Sequence, residues 1–371
     1  MLSADLVKKK AIETGFDLVG ITDAKPMREL TTLLEERQLQ GKEPEFVSDS
    51  IEKRLEPKFF FPKAKSIVMT AVNYYYSAAC NESFRSKLSR SAWGLDYHRV
   101  MGGMLEQLGQ SLQELEPELQ YKTFVDTGPL VERELARRAG LGWIGKNAAL
   151  ITPQFGSWVF LGGMAVNLEF EEDKPLDRSC GNCRQCIEAC PAGALEDAYC
   201  VNPNRCLSYV SQKKGYLTAK ERELLKDRLY GCDTCQQVCP INMELAKNTT
   251  VNALKPLRHS AMSLAEAAGM GNKQFKALLG STAAAWRGKT NIKRNAVIAL
   301  GNSGDLQTVP FLKKALGDPS PIIRGHAVWA LGRMAGRQTE VIKVLMQALD
   351  NETDPQVKQE IAGVLKNISR T

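Results

Sequence analysis

Between residues 180 and 240 the chain reads Cys180-Gly-Asn-Cys183-Arg-Gln-Cys186-Ile-Glu-Ala-Cys190-Pro191, then Cys206, then Cys232-Asp-Thr-Cys235-Gln-Gln-Val-Cys239-Pro240. The first run has the spacing at which three thiolates wrap one iron–sulfur cubane while a fourth, followed by proline, points to a second cubane. The second run ends in the same way but lacks its leading cysteine, and Cys206 replaces it from a distance. The spacing predicts two [4Fe–4S] clusters with crossed ligand sets. Cys180, Cys183, Cys186 and Cys239 hold one, and Cys190, Cys206, Cys232 and Cys235 hold the other. Cys80 and Cys200 are left over, and no ligand role is expected for either. Zinc prefers separate Cys-x2-Cys pairs, and disulfides belong to oxidising compartments. Two adjacent cubanes carry electrons but do not define a substrate, so the rest of the chain must.

The chain has 371 residues, enough for two or three domains, and an ordinary 43% of hydrophobic residues. No apolar run reaches the length of a membrane span. The N-terminus begins an amphipathic helix rather than a signal peptide, and no twin-arginine segment precedes it. A cytoplasmic protein is expected, where thiols stay reduced. The net charge of +7 is uneven: residues 251–371 hold 17 Lys+Arg and 8 Asp+Glu, a balance of +9, and residues 1–250 hold 32 and 34, a balance of −2. A basic excess confined to one region suits a polyanion such as nucleic acid, and equally a solvated basic surface.

The elements ahead of the cysteines alternate in type. Helices are expected over residues 3–15, 26–40, from Trp93 to about residue 115, and over 129–139, the last with Pro129 in its first turn and Gly140 past its end. Strands are expected at 16–21, at Ser66-Ile-Val-Met-Thr-Ala-Val-Asn73, at Tyr121-Lys-Thr-Phe-Val-Asp126 and at 158–168. The second strand is a continuous apolar run, as when both faces are covered. This order gives an α/β or α+β domain over residues 1–170. Three glycines in six residues mark Gly140-Leu-Gly142-Trp143-Ile-Gly145-Lys146-Asn147. The stretch is neither a phosphate loop nor a dinucleotide fingerprint. Its glycines let backbone approach a large ligand, or else make a tight structural loop. Asp126 stands at a strand end, a common place for a catalytic group, and before an expected helix, where an aspartate caps.

From residue 251 onward only helices are expected, and they repeat. Arg294-Asn-Ala-Val-Ile-Ala-Leu-Gly301 returns as Arg324-Gly-His326-Ala-Val-Trp-Ala-Leu-Gly332, with Ala-Leu-Gly 31 positions later. Such helix pairs are HEAT-like solenoid units, which bury a core only by stacking. Arg287, Lys289, Lys293, Arg294 and Arg324, with His326, offer positive charge and donors that suit phosphates; a protein-binding solenoid is the alternative.

Taken in order, Tyr97-His98, Val125-Asp126-Thr-Gly-Pro129-Leu-Val-Glu-Arg133, the stretch 140–147, the cysteine set and the helical repeat resemble the epoxyqueuosine reductase family over nearly the whole chain. The resemblance implies an α+β multidomain oxidoreductase. Its parts would be an α/β cobalamin-binding domain (1–170), a ferredoxin-like domain with two [4Fe–4S] clusters (171–250) and HEAT-like repeats that bind tRNA (251–371). The implied reaction reduces epoxyqueuosine at the anticodon wobble position of tRNA to queuosine, with cobalamin fed through the clusters by an external one-electron donor such as a flavodoxin or ferredoxin. It implies Asp126 as proton donor, its pKa raised in an apolar pocket. Tyr97, Trp143, Gly145, Lys146 and Asn147 become pocket residues, with Arg54 a further candidate and His98 a candidate lower ligand of cobalt. A monomer is expected. Two other readings stay open: a reductive dehalogenase acting on a small molecule, and a ferredoxin-like electron carrier.

Overall fold

A computed structural model describes residues 2–47, 49–77, 87–335 and 339–368, so Cys80 lies outside the described residues. The chain forms two compact units. One comprises Met1–Ala78, Gly94–Cys206 and Asp233–Lys255, and the other Ala79–Trp93, Leu207–Cys232 and Pro256–Thr371.

The first unit is built on four strands, β1 (Leu18–Asp23), β2 (Ser66–Asn73), β3 (Tyr121–Phe124) and β4 (Val159–Val166), in the order β1-β2-β4-β3. All three pairings are antiparallel, so the expected α/β arrangement is replaced by α+β. The continuous apolar run of β2 does come from two covered faces, and every residue of it is buried. Val68 and Val72 pack with Val7, Ala11, Met101 and Leu105 of α1 (Ala4–Thr14) and α2 (Tyr97–Leu115). Ile67, Met69 and Ala71 pack with Met27, Leu34, Leu135 and Ala136 on the opposite face. Side chains alternate along the strand as the pleat requires, but apolar neighbours wait on both sides. Each such side chain contributes roughly 1.5–3 kcal/mol on burial.

Local signals set the helix ends. Ser3 caps α1 by accepting from the Leu6 amide, and Gly15 ends it with φ 106°. Asp96 caps α2 by accepting from the His98 amide. The helix expected over 129–139 is shorter: α3 spans Glu132–Arg138, and Pro129 lies in the preceding loop. The chain leaves β3 through Asp126, which takes a left-handed φ of 55° and turns the backbone before a helix can begin.

The second unit carries the repeats: α4 (Lys289–Ser303), α5 (Val309–Ala315), α6 (Pro321–Ala335), α7 (Thr339–Asn351) and α8 (Pro355–Ile368). Helix α4 stacks on α6, and α6 on α8. The repeated Ala-Leu-Gly has a packing cause. A β-carbon on Gly301 would stand 2.5 Å from that of Ala330, and one on Gly332 2.5 Å from a Val364 methyl. Among the described residues no helix is long and apolar enough to cross a membrane.

Candidate active site

Asp126 lies two residues past the end of β3, its side chain reachable by solvent but set among protein atoms that partly desolvate it. The Tyr97 hydroxyl donates to its Oδ2 at 2.5 Å, and His98 Nε2 stands 3.5 Å from the same oxygen. The other ring nitrogen of His98 donates to Asp96 at 2.6 Å. Tyr97 and His98 are brought here by the first turn of α2, whose start the Asp96 cap sets. The Tyr97 ring stacks at 4.0 Å on Phe160 of β4, which stacks in turn at 4.2 Å on Tyr74. Asp126 caps no helix: α3 starts six residues later, and its cap position, Val131, makes no side-chain bond. The carboxylate is directed to Tyr97 and His98 instead.

This geometry reverses the expected direction of the Asp126 pKa. The His98 hydrogen bond is the largest influence, and with Tyr97 it outweighs burial and holds the Asp126 carboxyl below its ordinary range. Burial alone would push His98 down, but bonds to Asp126 and Asp96 outweigh it and its pKa rises. Each group thus favours the charged form of the other. The carboxyl that burial pushes up is Glu132, to about 8, helped by the charge of Asp126 beside it. Glu132 Oε1 accepts from the backbone amide of Asp126 at 2.6 Å. Both nitrogens of His98 face carboxylates, so the ring would give up one of these contacts if it bound cobalt as expected.

Beside this cluster a pocket of about 270 Å³ is lined by Tyr74, Arg133, Asn147, Leu150, Ser157 and Gln236, with Ala148, Ala149, Val159 and Leu161. Its lining mixes the apolar side chains of Leu150, Val159 and Leu161 with the amides of Asn147 and Gln236, the Ser157 hydroxyl and the Arg133 guanidinium. Such polar groups match the carboxamides that fringe a corrin. Gln236 follows Cys235 directly. Its side-chain amide donates to Tyr74 and Ser157, which ties the second cysteine run to the pocket wall.

The glycine-rich stretch is a hairpin, Trp143–Ile144 paired with Leu150–Ile151. Its glycines are explained by the chain's own packing. A β-carbon on Gly142 would stand 2.2 Å from the Ile151 carbonyl oxygen, and one on Gly145 2.5 Å from the Ile151 side chain. Trp143 is buried beside that pairing, with the Arg178 guanidinium over its ring. Neither Trp143 nor Gly145 lines the pocket, and the part of the hairpin that does is Asn147 to Leu150. Lys146 points the other way, donating to the carbonyl oxygens of Gly181 (2.6 Å) and Cys183 (2.9 Å). It braces the first cysteine loop rather than the pocket. Arg54 is paired with Glu43 at 2.7 Å and also stays out of the pocket.

The nine described cysteines form no disulfide and are all half-buried. The short helices Gln185–Glu188 and Thr234–Gln237 pack together. The Cys186 thiol is pushed up by burial and by the neighbouring thiols of Cys180, Cys183 and Cys239. Cys180, Cys183 and Cys239 thus lie near enough to influence Cys186, and these four are the thiols that the spacing assigns to one cubane. Cys200 lies in a separate short strand, Cys200–Val201.

In the second unit several expected phosphate contacts are spent internally. Arg294 is wholly buried, donating to the carbonyls of Lys213 (2.6 Å) and Gly215 (2.9 Å) and to Asn295. Burial lowers its pKa to about 10. Lys293 is paired with Asp318, and Arg324 forms a fork on Glu352 with both bonds at 2.7 Å. His326 is buried and held neutral, its pKa lowered by desolvation to about 3. Arg287 stacks at 3.9 Å on Trp286, whose ring is half exposed, and Lys289 opens α4. The residues that sequence reasoning missed are Tyr74, Glu132, Arg133, Ser157 and Gln236. Gln236 was signalled by its place beside Cys235, and Glu132 and Arg133 by the same stretch that carries Asp126.

A carboxylate–imidazole–phenol cluster beside a pocket lined by apolar side chains and amides, in one unit with the cysteines of the first expected set, fits an iron–sulfur oxidoreductase. Family models agree along the chain: epoxyqueuosine reductase QueG over residues 54–127, a 4Fe-4S double cluster binding domain over 179–242 and HEAT repeats over 283–366. The chain is 40% identical to the epoxyqueuosine reductase of Listeria monocytogenes, over 95% of this chain and 94% of that protein. A crystal structure of selenomethionine-labelled epoxyqueuosine reductase matches with a TM-score of 0.94 and 36% identity, covering 98% of each chain. A crystal structure of epoxyqueuosine reductase with an epoxyqueuosine-modified tRNA-Tyr stem loop matches at 0.93 and 35%, again with 98% of each covered. The chain belongs to the epoxyqueuosine reductase family.

Proposed function

We propose that this chain reduces epoxyqueuosine in tRNA to queuosine, with cobalamin in the pocket beside Asp126 and two [4Fe–4S] clusters feeding it electrons. The observation that carries this is the continuity of one compact unit. Asp126, the stack Tyr97–Phe160–Tyr74, the pocket and the Gln236 link to the cysteine segment follow one another without a break. Crossed cluster ligation is supported by Cys239 facing Cys186; the second set, Cys190, Cys206, Cys232 and Cys235, rests on spacing. Residues 1–170 serve the corrin, 171–250 form a ferredoxin-like pair of clusters, and 251–371 bind the tRNA stem-loop.

Converting an epoxide to an alkene consumes two electrons and two protons and releases water. Bound cobalamin supplies the strong reductant and nucleophile that such an opening requires. Leu150, Val159 and Leu161 would offer it apolar contact, and Asn147, Ser157 and Gln236 would offer hydrogen bonds to its carboxamides. Asp126 relays the proton of the His98 imidazolium to the departing oxygen, the second proton of the water released comes from solvent, and Tyr97 holds the carboxylate in place. Lys146 fixes the first cysteine loop. Arg287 and Lys289, next to the exposed Trp286 ring, contact tRNA phosphates. An external one-electron donor such as a flavodoxin or ferredoxin is the electron source, and the chain acts as a monomer in the cytoplasm.

The deciding experiment is anaerobic reconstitution with iron, sulfide and cobalamin, followed by turnover on tRNA carrying epoxyqueuosine with a chemical reductant. Queuosine should form only when cobalamin is present. Tight cobalamin binding with the tRNA left unchanged would overturn the substrate, and equal turnover without cobalamin would overturn the cofactor.

A further inference from the structure

We propose that Glu132 is a positioning residue for the reaction, holding the backbone amide of Asp126, and with it the 125–131 loop, so that the Asp126 carboxylate meets Tyr97 and His98. The inference rests on the role of Asp126 given above. Asp126 is one of four described non-glycine residues at positive φ, a conformation that costs free energy in a residue with a β-carbon. Something must hold it there. The Glu132 carboxyl, in the first turn of α3, accepts the Asp126 amide at 2.6 Å, closing a ring across the loop. The Tyr97 and His98 contacts then meet a carboxylate already turned toward them.

The charged groups around Glu132 decide the form in which it works. Asp126, His98 and Arg133 all face it. Burial and the Asp126 charge keep its proton on to about pH 8. Near neutrality the latch is therefore a neutral carboxyl whose oxygen accepts, and two adjacent carboxylates do not repel. Above that pH, Glu132 ionises, the like charges face each other, and the loop is pushed out. A glutamine reproduces the neutral latch and cannot ionise.

The test compares Glu132→Ala, Glu132→Gln and Asp126→Asn in the fully reconstituted protein, using single-turnover rates from pH 6.5 to 9.5 and amide hydrogen exchange of the 125–131 segment. Glu132→Ala should slow turnover by up to roughly 10²-fold, the scale of a displaced catalytic group, with faster exchange at the Asp126 amide. Glu132→Gln should keep the neutral-pH rate and lose the decline that the wild type shows above about pH 8. Wild-type exchange and rate in Glu132→Ala would overturn the inference. So would a Glu132→Gln protein as slow as Glu132→Ala, which would make Glu132 a proton donor instead. Full activity in Asp126→Asn would remove the acid role of Asp126, while the exchange data would still judge the latch.

Discussion

The hydroxyl of Tyr97 lies 2.5 Å from Oδ2 of Asp126, which joins the first turn of a long helix to a loop beyond the sheet edge. Removing the acid with Asp126→Asn should leave clusters and cobalamin bound and lower single-turnover queuosine formation by about 10²–10⁴-fold, the usual worth of a general acid. Tyr97→Phe removes one donor to the carboxylate, so the Asp126 pKa should move up and the rate should fall less. Unchanged rates in Asp126→Asn, with the spectra of both cofactors intact, would place the proton source elsewhere.

His98 sits between two carboxylates and its pKa is raised. Its contribution to stability is therefore fully present below its unfolded pKa of about 6.5 and lost as pH rises through the higher folded value. The Asp126 pKa is lowered, so its contribution is present above the ordinary carboxylate range and lost as pH falls through the folded value. The pair should stabilise the loop most between those limits. Urea unfolding of wild type and His98→Gln should show the gap between them narrowing from pH 6 to pH 9. A constant gap would mean that the imidazole is neutral throughout.

The Lys146 ammonium rests on the carbonyl oxygens of Gly181 and Cys183. A cation beside an anionic cluster favours the reduced state, so Lys146→Met should shift the midpoint potential of the nearer cluster downward in an EPR-monitored titration. Lys146→Arg should largely restore it. Loss of cobalamin binding with an unmoved potential would return Lys146 to the pocket.

Cys206 and Cys200 compete for the fourth place in the second ligand set. Cys206→Ala should lose about half of the bound iron and one EPR signal, since one of two clusters fails. Cys200→Ala should keep both. The opposite pattern would exchange their roles.

Arg294 fills a buried site of backbone carbonyls. Arg294→Met should cost on the order of 3 kcal/mol in unfolding free energy, because acceptors matched to a charged donor are left unsatisfied. Joint Arg287→Glu and Lys289→Glu should instead leave stability nearly unchanged, weaken tRNA binding and flatten its dependence on salt. An unchanged salt slope would move the phosphate contacts away from these two residues.

Much of the fold could be read in advance, and the misreadings have physical causes. Strand β2 was legible from its apolar run, but the expected continuation through Tyr74, Tyr75 and Tyr76 is not part of it, since the strand ends at Asn73. Strand direction was not legible, since helices over both faces produce the same apolar run in parallel and antiparallel sheets. The helix expected from Pro129 ignored the loop that Asp126 opens, because a left-handed aspartate has no signature in composition. Arg294 read as surface charge. Whether a helical arginine meets water or carbonyls depends on what covers it, here residues 211–215, some eighty positions away in the chain.

What the sequence by itself determined is covalent and periodic: the cysteine spacing, the repeated Ala-Leu-Gly, the apolar strands and the family to which they belong. Spacing limits which thiolates can share a loop, and periodicity sets which face of an element is apolar, so both survive without coordinates. Only the tertiary structure decided how side chains far apart in the chain are paired. It turned Lys146 from the pocket to the first cysteine loop, took both His98 nitrogens, lowered the Asp126 pKa that burial alone would have raised, and drew Glu132 onto the Asp126 amide. Hydrogen bonds and charges act over a few ångströms, and distances on that scale are set by the folded chain alone.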